Sequence, residues 1–254
     1  MRRMFLLALC VSACAVAARA QTTMDLSTID LGIQQIQQNT FIFESMNRSM
    51  SGTPGADSSR RTGTRRPTTG SPNGGGSNTG GGTPFAGSTT FLPVATSIMP
   101  KRLAERMAKT QAERPELEKF FGGLLDTYKA MAREKGAPLN DVARASSFAV
   151  GTSYDVYNEG RLLGTRPFEA MREQMRAELA ASQKFQALDD RRRQEMYETY
   201  VIIGMFVSSM YESAVKSNNP ALASKMRELA RVQLEESFGV PVARLRFTDD
   251  GVKY

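Results

Sequence analysis

Histidine is absent from this chain, and cysteine occurs only twice, as Cys10 and Cys14. Both cysteines fall inside a segment that reads as a removable export signal. With neither imidazole nor thiol left, a Ser-His-Asp triad, a Cys-His pair, a zinc or iron site on nitrogen and sulfur ligands, and a disulfide framework are all excluded. No long apolar run follows the first 20 residues. The longest, Tyr200 to Val207, is far too short to cross a bilayer. Chemistry is left to carboxylates, Lys, Arg, Tyr, Ser, Thr and the backbone.

The N-terminus carries Arg2 and Arg3, then Met4 to Ala17 with Ser12 as the lone polar residue, then Ala18-Arg19-Ala20. This is the pattern of a signal peptide over residues 1–20, cleaved before Gln21, and it predicts a periplasmic or secreted bacterial protein. Val11-Ser12-Ala13-Cys14 also resembles a lipobox, the alternative being a lipid anchor at Cys14. The mass of the mature N-terminus separates the two. Trimming the leader lowers the basic count from 33 to 30 against 26 acids, a net charge of +4. That balance is ordinary and does not favour nucleic acid as a partner.

Three zones follow. Within residues 21–50, Leu26, Ile29, Ile33, Ile36, Thr40 and Phe43 recur at steps of three and four, the stripe of a short amphipathic helix. Such a helix is marginal alone in water, so it needs a surface: the protein's own body, a second copy, or a partner protein. Residues 51–90 hold about half of the chain's 21 glycines, with Ser, Thr, Asn and Pro filling the rest. This composition builds no core and reads as a disordered linker. Forty such residues span about 35 Å. Its glycines lack the Gly-Lys-Ser/Thr of a phosphate loop. Arg60, Arg61, Arg65 and Arg66 read as a solvated charge run, or as weak adhesion to an anionic envelope surface.

Residues 91–254 are long enough for one core. The pattern predicts an all-α, orthogonal or up-down bundle of about six helices around a central apolar one. Pro100 and Pro115 open the first two helices, and Gly136 stops the second. Asn140 caps a third, which carries Val142, Ala145, Phe148 and Ala149. Thr165 caps a fourth with Phe168, Met171, Met175 and Leu179 inward. Asp189 caps the fifth and Asn219 the sixth, which ends at Gly239. Arg244 to Phe247 alternates like a short strand, and Asp249-Asp250-Gly251 reads as a turn. The fifth helix, with Met196, Tyr200, Ile203, Val207, Met210 and Ala214 on one stripe and Val201, Ile202, Phe206 and Val215 on other faces, is the expected centre. Gly204 there permits a close neighbour.

Motifs that carry chemistry are few. Ser213-Ala214-Val215-Lys216 matches Ser-x-x-Lys, but the Ser-Asp-Asn and Lys-Thr-Gly partners are missing. Glu212 and Lys216 read more simply as an i,i+4 pair. Paired carboxylates are the one catalytic arrangement still open. Glu195 with Glu198, or Asp155 between Tyr154 and Tyr157, would suit glycan hydrolysis if desolvated away from cations. Arg191, Arg192 and Arg193 stand beside the first pair and read as a charged helix start. Asp249 and Asp250 match no EF-hand, and Met171 with Met175 is core filler rather than a copper site. No catalytic, cofactor-binding or metal residue is assigned, and no cofactor is expected.

Asn140-Asp141-Val142-Ala143, Arg193-Gln194-Glu195-Met196-Tyr197-Glu198 and Leu245-Arg246-Phe247-Thr248-Asp249-Asp250-Gly251, in that order, resemble an uncharacterised family of exported bacterial all-helical domains of unknown function. The resemblance covers roughly residues 92–252. It implies a helical fold and export, and carries over no site residue. The expectation is a non-enzymatic binding or interaction module of the bacterial envelope, its unknown protein partner or second copy engaged through the N-terminal helix. The alternative is a carboxylate-dependent hydrolase of cell-wall glycan.

Overall fold

The structure is a computed structural model that describes residues 87–254, apart from Ala95. The expected leader, Cys14, the amphipathic stripe and the linker up to residue 86 lie outside the described residues.

Among the described residues seven helices follow one another: α1 (Met99–Met107), α2 (Arg114–Glu134) after a 3-10 turn (Gln111–Glu113), α3 (Val142–Tyr157), α4 (Thr165–Ala181), α5 (Gln183–Gln186), α6 (Asp190–Lys216) and α7 (Pro220–Phe238). A second 3-10 turn (Val242–Arg244) leads into a hairpin of β1 (Arg246–Thr248) and β2 (Gly251–Lys253), the only sheet among the described residues. The fold is therefore all-α. The four-residue α5 is the element that the apolar pattern did not separate, because one turn has no periodicity to read.

Helix ends obey local chemistry. Pro100 and Pro115 sit in first turns, where a missing N–H costs nothing. Asp189 caps α6 through the Arg192 amide, and Asn219 caps α7 through the Leu222 amide. Gly239 ends α7 at φ +68°, a left-handed conformation that glycine adopts without strain. Two expected caps are corrected. The side chain that caps α3 is Asp141, not Asn140, and it accepts from the amides of Ala143 and Arg144. Thr165 is the first residue of α4, whose N-cap is Gly164 and has no side-chain bond.

α6 is the centre, packed against α1, α2, α3 and α7. Neighbours on several sides explain why it is apolar on several faces. Ile202, Ile203, Phe206, Val207, Met210 and Ala214 are all buried. Val215, expected to extend this surface, is 57% exposed at the helix end. α6 and α3 cross closely at Gly204. A Cβ on Gly204 would stand 2.8 Å from Phe148 and 3.0 Å from the Ala149 backbone, so the crossing requires glycine there.

A second, smaller core lies beyond α3, where Val150, Met171, Leu234, Leu245 and Val252 meet. The hairpin closes it. Phe247 packs 4.6 Å from Tyr154 and edge-on to Phe238. The Val252 amide donates to Gln174 Oε1 at 2.8 Å, tying β2 to α4.

Candidate functional site

The first turns of α6 carry the densest set of buried polar groups. Arg193 is fully buried, and Gln194, Glu195, Glu198 and Thr199 are nearly so. Burial on this scale is costly unless each group finds a partner, and most of the partners belong to one segment. Residues 88–98 form a strap across the start of α6, and the side chains of α6 hold its backbone.

Arg193 Nη1 donates to the carbonyls of Thr90 at 3.0 Å and Ser88 at 3.4 Å. Its Nη2 reaches the Gln186 carbonyl at 3.2 Å, and the guanidinium lies 4.8 Å from the Phe185 ring centre. One planar fork thus joins the strap to α5. Gln194 comes next. It accepts the Val94 amide at 2.8 Å and donates to the Thr96 carbonyl at 3.0 Å, which is how a neighbouring β-strand would read that stretch of backbone. Glu198 finishes the row. Its Oε2 accepts the amides of Ile98 at 2.7 Å and Met99 at 2.8 Å, and its Oε1 accepts from Gln194 at 2.7 Å.

Helix α1 begins at Ile98 without a side-chain cap of its own. Glu198 supplies that cap from another helix, placing negative charge at the positive end of α1. On its other edge the strap bridges to the start of α3. Thr90 pairs with Asp141, the Phe91 amide donates to Asn140 and the Val142 amide to Thr89. Thr89 Oγ1 donates to Asp141 Oδ1 at 2.8 Å.

The expected charged helix start is therefore corrected at Arg193, which points inward while Arg191 and Arg192 are exposed. A signal for this was present. The apolar stripe Met196, Tyr200, Ile203, Val207 extends back by three residues onto position 193. Glu195 and Glu198 do not form a free pair. Glu195 is met by Arg102 and Arg192, each at 2.9 Å, and by Arg191 at 3.4 Å. Glu198 is 2% exposed and committed to amides.

Beneath the strap stand two tyrosines. The Tyr197 ring packs 5.4 Å from Phe91 and 6.2 Å from Tyr128, whose other face lies 4.8 Å from Phe148. Both phenolic oxygens are buried, and that of Tyr128 faces the Arg144 guanidinium closely enough to share a hydrogen bond with it. Burial pushes the Tyr128 phenol up to about 12, opposed by the nearby Arg144 guanidinium. Tyr197 is raised further, again chiefly by burial.

The other residues of interest are apart from this row. Asp155, near the end of α3, accepts the Leu163 amide at 2.6 Å and pins the loop into α4. Burial raises its carboxyl from 3.8 to about 6, partly opposed by that amide. The folded chain thus holds this proton more tightly than the unfolded one. The associated stability is complete below about pH 4 and is lost as pH rises through 6. Asp155→Asn keeps the acceptor and removes the charge. It should gain about 1–2 kcal/mol at pH 7.5, after discounting for partial exposure, and nothing near pH 4. Urea midpoints at the two pH values test this, and an equal change at both would contradict it.

Ser213 is buried, while Lys216 reaches back to Glu212 at 3.7 Å. The Ser-x-x-Lys match is thus an ordinary stretch of helix. Asp250 pairs with Lys253 at 2.9 Å in the hairpin turn. Met171 is core, and the Met175 sulfur accepts from Ser146 and Ser147. Among the described residues no group of three acidic side chains is placed to hold a metal ion, and no helix is long and apolar enough to cross a membrane.

The arrangement defines an all-helical body whose incoming chain is fastened, backbone first, to its central helix. The chain belongs to a family of unknown function, DUF6683, whose model matches residues 1–254. No curated protein and no solved structure matches it.

Proposed function

We propose that this is an exported, non-enzymatic interaction module of the bacterial envelope. In this reading the helical body is an anchor, and the segment 25–50 is the binding element, given reach by the linker. The observation that carries the reading is where the buried polar chemistry is spent. Arg193, Gln194 and Glu198 all hold the backbone of residues 88–98, the point at which the linker enters the body. A fastening through several backbone bonds transmits a pull on the tether to the central helix. The Leu26-to-Phe43 stripe, read from sequence, supplies an apolar face in need of a surface.

Removing residues 25–50 should, in this reading, leave the thermal unfolding of the body within about 1 °C, since the element serves a partner and not the core. The same deletion should abolish self-association in sedimentation, or capture of an envelope partner by the mature chain. Equal sedimentation and equal capture by both proteins would end this reading.

The alternative, a hydrolase of cell-wall glycan, needs two carboxylates facing one cleft. Glu195 is ringed by guanidiniums and Glu198 by amides, which favours the interaction reading. Clearing of purified cell wall by the protein would reverse that preference.

A further inference from the structure

The strap has an outer face that its fastening does not use. Phe91 is turned in against Tyr197, while Leu92, Pro93 and Val94 after it are exposed. Leu92 is 75% exposed and Val94 39%. A single exposed leucine is ordinary on a protein surface. Here two large aliphatic side chains stand two residues apart on a backbone gripped from beneath. Gln194 holds the Val94 amide and the Thr96 carbonyl, and Arg193 holds the Thr90 carbonyl. The side chains of Leu92 and Val94 cannot turn inward without breaking these bonds.

Basic side chains adjoin them. Glu195 gathers Arg102, Arg191 and Arg192, so three guanidiniums share one carboxylate. Arg191 lies one helical turn before Gln194, the residue that grips Val94. Asp189 and Asp190 at the start of α6 offset that excess, and the exposed Lys101 beside Arg102 returns the balance to positive. The chain that enters the strap has the same sign. Residues 51–90 hold Arg60, Arg61, Arg65 and Arg66 against Asp57 alone. Those arginines lie outside the strap, but they bear on the charge of whatever it meets.

We propose that the strap edge of the body rests on an anionic phospholipid surface. Leu92 and Val94 enter the interface, and Arg191, Arg192 and Lys101 lie level with the lipid phosphates. The partner must accept two aliphatic side chains and carry negative charge over a broad area, because the cations are spread over α1, α6 and the incoming chain. A bilayer with anionic headgroups meets both demands, through apolar burial and charge attraction together. Guanidinium suits the phosphates, which it can meet with two N–H groups at once. The inference rests on the proposed envelope location and not on segment 25–50, so it can fail without touching the interaction reading.

The chain from Gln21 onward should be sedimented with vesicles of phosphatidylcholine, alone or with about one third phosphatidylglycerol. Binding is expected to the anionic vesicles only, and it should weaken as salt rises. Leu92→Ser/Val94→Ser should lower the partition coefficient about tenfold. Both side chains are exposed, so this variant should unfold within about 2 °C of the parent. Arg191→Gln/Arg192→Gln should also lower it about tenfold at low salt, and match the parent at high salt. No binding to the anionic vesicles would overturn the proposal. Binding that survives in Leu92→Ser/Val94→Ser would do the same, since it would place the contact elsewhere in the chain. So would a parent that self-associates without vesicles while that variant is monomeric, because the face would then serve a second copy.

Discussion

Arg193→Ala is expected to lower the unfolding free energy by about 3–5 kcal/mol, a fall in Tm of about 10 °C for a body of this size. The side chain is fully buried, so its removal opens a cavity as large as any single truncation in the core would leave. It also strands the carbonyls of Thr90 and Gln186, and weakens the hold on Ser88. The Phe185 ring loses the cation stacked against it. Arg193→Lys should recover little, because a single ammonium cannot span the strap and α5 as the two arms of a guanidinium do. The damage should be local first. The amides of Phe91 and Val142, which bridge the strap to the start of α3, should exchange with solvent faster than those of central α6. Unchanged exchange at Phe91 and Val142 would mean that Arg193 does not hold the strap.

That expectation also shows where sequence reasoning reached its limit. Pro100, Pro115, Asp189, Asn219 and Gly239 mark helix ends through interactions within a few residues of themselves, so their meaning survives without the fold. The stripe from Met196 to Met210 likewise states its own inward direction. Arg191, Arg192 and Arg193 are identical in type and adjacent, and they leave the helix about 100° apart. The phase of the stripe turns position 193 inward, but the carbonyls that make a buried guanidinium tolerable there belong to a strap about a hundred residues earlier in the chain. The same holds for Glu198. It lies three residues after Glu195, and the pair resembles two acids on one face. The cap that Glu198 provides belongs to a helix whose own start, Ile98, carries no capping side chain. A missing local cap at Ile98 was the visible half of that interaction. The buried phenol of Tyr197 had no local signature at all. A tyrosine on an apolar stripe reads as core whether or not its hydroxyl finds an acceptor.

Glu198→Ala should be the second large effect, about 3–4 kcal/mol, and its comparison with Glu195→Ala bears on function as well as stability. Glu198 serves three donors, the amides of Ile98 and Met99 and the Gln194 side chain. Alanine leaves all three unmet in a place that water reaches poorly, and α1 loses the charge at its positive end. Glu198→Gln keeps one oxygen for the two amides. It turns an amide group toward Gln194 or forfeits that contact, so about half of the loss should remain. Glu195 meets its arginines at the margin of the body, where Arg191 and Arg192 are well exposed. Glu195 is itself nearly buried, but the arginines it meets reach solvent, so its removal strands no buried donor and Glu195→Ala should cost about 1–2 kcal/mol. A catalytic pair would behave differently, since a carboxylate held ready for chemistry is often stored strain, and its removal tends to raise stability. Urea unfolding of the two variants separates these cases. A steep loss for Glu198 beside a small one for Glu195 fits a fastening that leaves recognition to other parts of the chain. A gain in stability at either position would return the two acids to consideration as a working pair.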